Sequence, residues 1–317
     1  MGAGVVCAAR EDSSDRARSA CLPPDPARDI ADCGRRHKPR VDRTVASVFP
    51  PSLSPSRAND FMTCPLLYRL RVIDKLPERP SAAALRGTLV HSVLEELFNA
   101  PAARRTADTA TTLISEHWDR MRVEAPEGAE ILAEGINLEE TADIADAVIA
   151  PIRPLLEAYF TLEDPRRVEP HAREMGVSTE LPSGLSLRGY IDRVDISPTG
   201  LVRLVDYKTG RSPGAGFEAK ALFQMRFYAL LWWRTADQIP ARLELLYFGD
   251  GQRISYEPTE DELRATERKI MALSDAIARA AMHGFTATPS ALCSWCSFQD
   301  ACPEFGGHTP PMPALPE

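Results

Sequence analysis

The chain has 317 residues, 44% of them hydrophobic, which suits one large domain with dispensable ends. Its formal net charge of -8 excludes a generally basic, histone-like nucleic-acid binder. The segment from Glu124 to Asp146 contains eight Asp or Glu and no Lys or Arg, so it accounts for the whole net charge. We interpret this segment as a solvated helical face, and the balanced remainder leaves room for a local basic groove.

The two ends of the chain are predicted to be disordered tails around one domain over 52–306. Residues 1–45 are rich in Arg, Asp, Pro and Ser, and 307–317 form the second tail. The longest apolar stretch, 227–233, is far shorter than the roughly 20 residues that cross a bilayer. The N-terminus has no apolar signal region, so we expect a cytoplasmic protein without a membrane partner.

Helical patterns occupy the first half of the predicted domain. Ser54 or Ser56 is placed to cap a helix that runs towards Cys64. Apolar residues that recur at intervals of four predict a second helix over 85–98. The stretch 104–160 is predicted to be a helical insertion that several prolines interrupt.

The second half of the domain changes to the period of strands. Apolar residues over 177–209 predict two strands joined by a hairpin turn at 197–200. Further along the chain, the pattern predicts a helix over 217–233, strands over 242–248 and 252–256, and a long helix over 260–283. This order predicts an α/β fold in which a central mixed sheet is flanked by helices.

Two aspartates and a lysine are predicted to converge at this hairpin. Residues two apart on a strand share a face, so Asp206 and Lys208 point the same way. If the loop has three residues and ends in a left-handed Gly200, Asp192 lies opposite Asp206 while Asp195 points to the other face. Two carboxylates beside a lysine suit Mg²⁺ or Mn²⁺ and a water that attacks a phosphodiester. A D-x-K pair alone is more typical of a surface ion pair.

The sequence on either side of Asp206 and Lys208 resembles that of a known family. The run RGYIDRVD stands upstream at 188–195, and Gln224 and Tyr228 lie downstream, four apart on one helix face. With these motifs, residues 54–305 resemble the RecB-like branch of the PD-(D/E)XK nucleases. That branch includes AddB-type nuclease domains of recombination complexes and CRISPR-associated exonucleases with iron–sulfur clusters. The resemblance implies a restriction-endonuclease-like core.

The resemblance also implies roles for individual residues. Aspartates at the positions of Asp192 and Asp206 bind the metal in this family, and Lys208 corresponds to its catalytic lysine. Gln224 and Tyr228 match a motif that follows the core of the family. These five residues form the expected catalytic set.

A histidine and a glutamate complete the implied metal site. His91, in the run RGTLVH, matches the helical histidine that approaches the metal, although a lone histidine is more often a satisfied core residue. The family often has an acidic residue on the strand before the one that carries Asp192. Glu180 is our first candidate for it and Glu174 is the reserve. An exposed glutamate at a strand edge accounts equally well for either.

Four cysteines predict a second site. Cys293, Cys296 and Cys302 lie within ten residues, and Cys64 stands more than 200 residues earlier. Thiolates in this number hold either Zn²⁺ or a [4Fe–4S] cluster, and their spacing alone leaves the two alternatives even. The iron–sulfur members of the family have one cysteine before the core and three after it. The resemblance therefore implies a [4Fe–4S] cluster that staples the two ends of the domain.

Together these features predict a metal-dependent exonuclease that degrades single-stranded DNA or DNA ends in repair and recombination. No G-x-x-x-x-G-K-[ST] phosphate loop occurs in the sequence, so a helicase would be a separate partner. Basic residues near Cys64 are candidates for phosphate contacts along the DNA path: Arg57, Arg69, Arg71 and Lys75.

Two other functions were weighed against the nuclease. A non-catalytic iron–sulfur subunit that binds DNA or scaffolds a helicase–nuclease complex is disfavoured because Asp192, Asp206 and Lys208 are all intact. A zinc-dependent hydrolase is disfavoured because the chain has no H-E-x-x-H motif and only six histidines.

Overall fold

A mixed sheet of six strands lies at the centre of the computed structural model, which describes residues 52–134, 136, 143–214 and 218–313. The strands are β1 (Ser52–Leu53), β2 (Ala172–Glu180), β3 (Ser186–Ile196), β4 (Val202–Lys208), β5 (Arg242–Tyr247) and β6 (Gln252–Tyr256). β2 pairs antiparallel with one side of β3, while β1 and β4 pair with its other side. β5 joins β4 in parallel and β6 pairs antiparallel with β5. The predicted mixed sheet is confirmed.

The hairpin between β3 and β4 has the three-residue loop that the sequence predicts. Ser197 N–H donates to Leu201 O at 2.9 Å, and Gly200 N–H donates to Ser197 O at 2.8 Å. Gly200 has φ +82°, a left-handed conformation that glycine adopts without steric cost. The loop therefore fixes the register of the two strands, in which Ile196 pairs with Val202.

Helices α1 to α3 precede most of the sheet. α1 (Pro55–Thr63) begins at the N-cap Ser54, whose side chain accepts from Arg57 N–H, and α2 (Pro65–Tyr68) runs into a π-helical turn. α3 (Ala82–Leu97) begins at Ser81, which caps it in the same way. Of the two serines considered from sequence, the structure selects Ser54 as the cap.

The predicted helical insertion contains α4 (Ala107–Glu124), α5 (Pro126–Ala133), α6 (Ile144–Ile149) and α7 (Arg153–Leu162). Prolines lie in the first turn of α5 and α7, where a missing N–H costs no helical hydrogen bond. These helices and α3 pack on one face of the sheet, and each fully buried aliphatic or aromatic side chain there contributes about 1.5–3 kcal/mol. Members of this core include Leu94, Ile114, Trp118, Ile152, Tyr159, Val205, Tyr207 and Phe248.

Helices α8 (Glu218–Ala236) and α9 (Glu260–His283) follow β4 and β6. α8 contacts β2, β3 and β4, and α9 packs on α8. Successive residues of a strand point to opposite faces, and Asp206 reaches α8 while Tyr207 enters the core under α3 and α7. Helices therefore cover both faces of the sheet, as predicted. Of the helices in the described ranges, none is long and apolar enough to span a bilayer.

The C-terminal segment consists of three short 3₁₀ turns, Ala291–Trp295, Gln299–Ala301 and Pro303–Phe305. The residues after these turns are hydrogen-bonded back to them: His308 N–H donates to Asp300 O, and Thr309 Oγ1 donates to Ala301 O. The start of the predicted C-terminal tail is thus folded back onto the segment before it. The predicted N-terminal tail, with Cys7, Cys21 and Cys33, lies outside the described residues.

Candidate active site

Three carboxylates lie side by side across the middle of the sheet. On β2 and β3, Arg173 pairs with Arg193 and Met175 pairs with Ile191, so Glu174 lies opposite Asp192. On β3 and β4, Arg193 pairs with Val205, which places Asp206 as the residue opposite Asp192. The two hairpin registers thus bring Glu174, Asp192 and Asp206 into one row.

Asp192 is held where β3 and β4 separate. The ladder between these strands ends at the Arg193–Val205 pair. Beyond it, the backbone N–H of Tyr207 donates to Asp192 Oδ2 at 2.6 Å. The Asp192 side chain is 10% exposed, so this bond replaces part of the hydration that the carboxylate has lost. The second oxygen of Asp192 remains for another ligand.

His91 reaches the same row from α3. Its Nδ1 lies 3.5 Å from Glu174 Oε1 and 3.7 Å from Asp192 Oδ2. The edge of the His91 ring meets Tyr207, with centroids 5.7 Å apart and planes at 81°. Three side chains each offer one ligand atom, and these three atoms lie within 4.8 Å of one another: His91, Glu174 and Asp192. The three side chains can therefore share one metal ion.

The backbone at Glu174 is strained. Its φ is +42°, in the left-handed region that non-glycine residues seldom adopt. Such a conformation costs roughly 1–2 kcal/mol and persists where the surrounding structure enforces it. Here β2 enforces it by pairing with β3 on both sides of Glu174. The strain supports a functional role for this position.

Lys208 and Gln224 contact Asp206 from two directions. The Lys208 ammonium forms an ion pair with Asp206 Oδ2. Gln224 Nε2, on α8, donates to Asp206 Oδ1 and to Tyr228 Oη, each at 3.1 Å. All five residues of the predicted catalytic set are therefore close together, with Tyr228 connected to the carboxylates through Gln224.

Proton affinities in this cluster depart from their ordinary values. Burial raises the pKa of Asp192 to about 7, and the negative charge of Asp206 adds to the rise. Burial disfavours the protonated form of His91, but its contact with Glu174 and the charge of Asp192 outweigh burial and raise the pKa. Burial lowers the pKa of Lys208, but the charge of Asp206, the hydrogen bond to it and the charge of Asp192 together outweigh burial and raise the pKa. These shifts indicate an excess of buried negative charge.

The donor set fits a divalent metal ion. Carboxylate oxygens are the ligands that Mg²⁺ and Mn²⁺ prefer, and one imidazole is compatible with Mn²⁺. Asp206 is only 3% exposed, and its Oδ2 contacts the Lys208 ammonium without an aligned hydrogen bond. A single lysine does not balance three adjacent carboxylates. A cation bound by Glu174, Asp192 and Asp206 would supply the missing positive charge.

The structure places Glu174 at this site instead of Glu180, the first candidate from sequence. Glu180 pairs with Ser186 at the opposite end of the β2–β3 ladder. The six residue steps from Glu174 to Glu180 span about 20 Å of strand, which is too far for a shared ligand. The acidic residue on β2 that lies beside His91 and Asp192 is therefore the reserve candidate, Glu174.

The four cysteines line one pocket, although their positions in the sequence are far apart. Cys64 stands between α1 and α2, and its Sγ accepts from Thr288 N–H at 3.4 Å. Cys293 Sγ accepts from Ser290 N–H at 3.3 Å. Among the described residues, no three cysteine Sγ atoms lie within 4.8 Å of one another. The pocket gathers the thiols at a wider spacing than that.

The family model for the PD-(D/E)XK nuclease superfamily matches residues 52–303. The chain therefore belongs to the PD-(D/E)XK nuclease superfamily. The match includes every residue of the carboxylate row, together with His91, Lys208 and the four cysteines of the pocket. Nucleases of this superfamily generally hydrolyse nucleic acid with divalent metals such as Mg²⁺, which agrees with the donor set described above.

Two phage proteins and one solved structure are similar to this chain. It is 29% identical over 185 residues to the Gene 69 protein of Mycobacterium phage D29, covering 53% of this chain and 66% of that protein. It is 28% identical over 294 residues to the Gene 69 protein of Mycobacterium phage L5, covering 80% and 97%. A structure from Eubacterium rectale named "Putative exonuclease" aligns with a TM-score of 0.50 at 14% identity, covering 81% of this chain and 92% of that one. That alignment supports the same fold.

Proposed function

We propose that this protein is a metal-dependent exonuclease that hydrolyses phosphodiester bonds at the ends of single-stranded DNA. The observation that carries the proposal is the row of Glu174, Asp192 and Asp206 on three adjacent strands, with the Lys208 ammonium beside it. Membership of a nuclease superfamily supports the reaction class. The preference for single strands and for ends is our extension, based on the RecB-like motifs.

In this proposal, separate residues bind the metal ion and the substrate phosphate. His91, Glu174 and Asp192 would hold Mg²⁺ or Mn²⁺, which when bound polarises a phosphoryl oxygen and acidifies a water. Asp206, opposite Asp192 on β4, would add a carboxylate beside them. Lys208 presents a cation at the edge of the carboxylates, where a scissile phosphate would be bound.

Gln224 and Tyr228 have a positioning role in this proposal. Gln224 donates to Asp206 Oδ1 while the Lys208 ammonium contacts Oδ2, so the carboxylate is held from both sides. Tyr228 Oη accepts the other amide hydrogen and so fixes the orientation of the Gln224 side chain. Loss of either contact would loosen a ligand without removing it.

For the cysteine pocket we propose a [4Fe–4S] cluster bound by Cys64, Cys293, Cys296 and Cys302. A zinc ion with Zn–S bonds of about 2.3 Å needs sulfurs about 3.8 Å apart. The resemblance to family members with one cysteine before the core and three after it supports the larger cubane cluster instead. Anaerobically purified protein should be brown and contain iron, whereas colourless protein with stoichiometric zinc contradicts the assignment.

The cellular setting is proposed from the same motifs. We infer a role in DNA repair or recombination in the cytoplasm, on strands that a separate helicase makes available. The sequence supports a separate motor because it contains no phosphate-loop motif. Stimulation of strand degradation by an added helicase would support this setting.

The proposed reaction is tested with end-labelled single-stranded and duplex DNA in Mn²⁺ or Mg²⁺. Metal-dependent release of short products from linear single strands, and none from circular single strands, is expected. Lys208→Ala is the inactive control. Equal cleavage of circles would show an endonuclease, and absence of cleavage with either metal would favour a non-catalytic DNA-binding subunit.

A further inference from the structure

A groove of about 920 Å³ runs along β3 next to the carboxylate row. Its walls come from the start of α1, from β2 and β3, and from α8, and it includes Gln224 and Tyr228. Beside the groove, β1 pairs with β3 only at 186–187 and β4 pairs with it only at 193–196. Within the described part of the chain, residues 188–192 of β3 have no strand partner on the edge that faces β1 and β4, and this open edge leads to Asp192.

Two arginines, Arg57 and Arg188, line this groove. Arg57 lies on α1 and is held by Ser52, whose Oγ accepts from its Nη1 at 2.8 Å. Burial lowers the pKa of Arg57, and the nearby charge of Arg188 lowers it further. Within the described residues, neither guanidinium lies within 4.0 Å of an acidic oxygen. Two adjacent cations of this kind favour an anion between them.

The acidic residue of the groove and the arginines on the nearby π-helical turn are already paired, which sets Arg57 and Arg188 apart from them; Lys220 also lines the groove. Asp60 also lines the groove, but it forms an ion pair with Arg71 at 2.6 Å. Arg71 contacts Glu78 as well, and Arg69 pairs with Asp74 at 3.1 Å. Of the four basic residues that the sequence suggested for phosphate contacts, Arg57 alone lies in the groove.

An exposed aromatic ring stands beside the arginines. Tyr190 is 68% exposed and pairs across the sheet with Gly176. A Cβ at Gly176 would lie 3.3 Å from the Tyr190 ring, so the ring rests over the glycine. The tyrosine also lines the groove. Tyr190 precedes Asp192 by two residues, which corresponds to about 6.6 Å along the strand and is comparable to the length of one extended nucleotide.

We propose that this groove binds the single-stranded substrate, with a phosphate between Arg57 and Arg188 and an unpaired base stacked on Tyr190. Cations that follow a backbone and an aromatic face that accepts a base are the usual elements of single-strand binding. A paired base has no exposed face for Tyr190, so the groove selects single strands over duplex. The proposal rests on the nuclease function proposed above, and it assigns the residues that position the strand.

Binding of labelled oligonucleotides in EDTA tests the groove without requiring cleavage. Arg188→Ala is expected to weaken single-strand binding and to reduce the slope of log K against log salt by about 0.7, the value for one lost phosphate contact. Tyr190→Ala is expected to weaken binding about 5- to 150-fold with an unchanged slope, because it removes a stacked base. Tyr190→Phe keeps the ring and should bind like wild type.

Control variants test whether weaker binding comes from the loss of any surface charge or from misfolding. Arg279 is exposed on α9 and does not line the groove, so Arg279→Ala controls for the loss of one surface charge. Gly176→Leu keeps the tyrosine but displaces its ring, and it should weaken binding as Tyr190→Ala does. Melting temperatures check that each variant is folded. In cleavage assays, Arg188→Ala should raise KM with little change in kcat.

The outcomes separate the groove from the catalytic proposal. If wild type cleaves DNA but Arg188→Ala and Tyr190→Ala bind single strands as tightly as wild type, the groove assignment is wrong and the nuclease stands. If these variants lose binding while wild type cleaves nothing, the groove stands and the nuclease proposal fails. Equal binding of duplex and single strands, or no binding by wild type, also overturns the groove.

Discussion

The carboxylate row and the cysteine pocket are assembled in different ways. Glu174, Asp192 and Asp206 lie on adjacent strands, and two hairpin ladders fix their register. Cys64 and Cys293 are 229 positions apart, and short turns with few backbone bonds carry the cysteines. The first site is therefore formed by the sheet itself, whereas the second joins the two ends of the domain.

This difference separates catalysis from stability. A site built into a sheet keeps its geometry when its metal is removed, so changes there should affect the reaction and leave the fold. A ligand shared between distant parts of the chain contributes its binding energy to folding. Changes in the cysteine pocket should therefore destabilise the domain and leave the chemistry of the folded fraction intact.

The largest expected effect is the loss of cleavage on changing the carboxylate row. Asp206→Asn or Lys208→Ala should lower kcat by about a thousandfold or more, because each removes charge stabilisation worth several kcal/mol. Single-turnover cleavage of single-stranded DNA measures the loss, and the melting temperature of Asp206→Asn, which can keep the hydrogen bond from Gln224, should not fall. Asp275→Asn, at an exposed position on α9, is the control. Retained activity in both catalytic variants would refute the site.

Removing a cysteine of the pocket is expected to act on stability instead. Closing a loop of this length in the unfolded chain is worth about 5 kcal/mol by loop entropy, so Cys64→Ala should lower the free energy of unfolding by several kcal/mol. Denaturant unfolding measures the free energy of unfolding. Cleavage per folded molecule should stay close to wild type. Cys21→Ala is the matched control. A stable Cys64→Ala protein would show that the pocket holds no structural ligand.

The raised pKa of Asp192 predicts a pH effect in the metal-free protein. The pKa of Asp192 is near 3.8 in the unfolded chain and about 7 in the folded protein. Between these two pH values the folded state binds a proton that the unfolded state has lost, so the free energy of unfolding falls as the pH rises. Asp192→Asn should therefore stabilise the metal-free protein at pH 8 by on the order of 1 kcal/mol or more, with no gain at pH 4. Unfolding in EDTA across pH measures this. An equal gain at both pH values would exclude charge repulsion as its cause.

The smallest expected effect comes from the strained backbone of Glu174. Glu174→Gly and Glu174→Ala both remove the carboxylate and should weaken metal binding alike. Glycine also relieves the positive φ, so the glycine variant should be about 1 kcal/mol more stable than the alanine variant. Calorimetric titration and thermal unfolding measure the two quantities. Equal stability of the variants would mean that this backbone is unstrained.

The two hairpins show how much of the site could be predicted from the sequence. The loop at 197–201 gave the register of Asp192 and Asp206 from its proline, its glycine and its length. The segment 181–185 repeats the pattern: Leu181 N–H donates to Leu185 O, and Gly184 has φ +84°. Applying the same loop rule there places Glu174 opposite Asp192. The information that selects Glu174 over Glu180 was therefore present in the sequence.

Other features depend on packing that no local pattern encodes. His91 reaches the carboxylates because α3 packs on Tyr207, a contact between residues more than 100 positions apart. The open edge of β3 results from two strands that each pair with only part of it. The pocket of four cysteines likewise depends on how the chain ends meet. Such long-range arrangements follow from the whole fold, whereas helix caps and hairpin loops are local.

Crystals soaked in Mn²⁺ and measured at a wavelength with anomalous signal test the central claim most directly. We predict one anomalous peak within coordination distance of Asp192 and Asp206, close to Glu174 and His91. The peak should disappear in Asp206→Ala crystals. A peak bound by other side chains, or none at a Mn²⁺ concentration that supports cleavage, would contradict it.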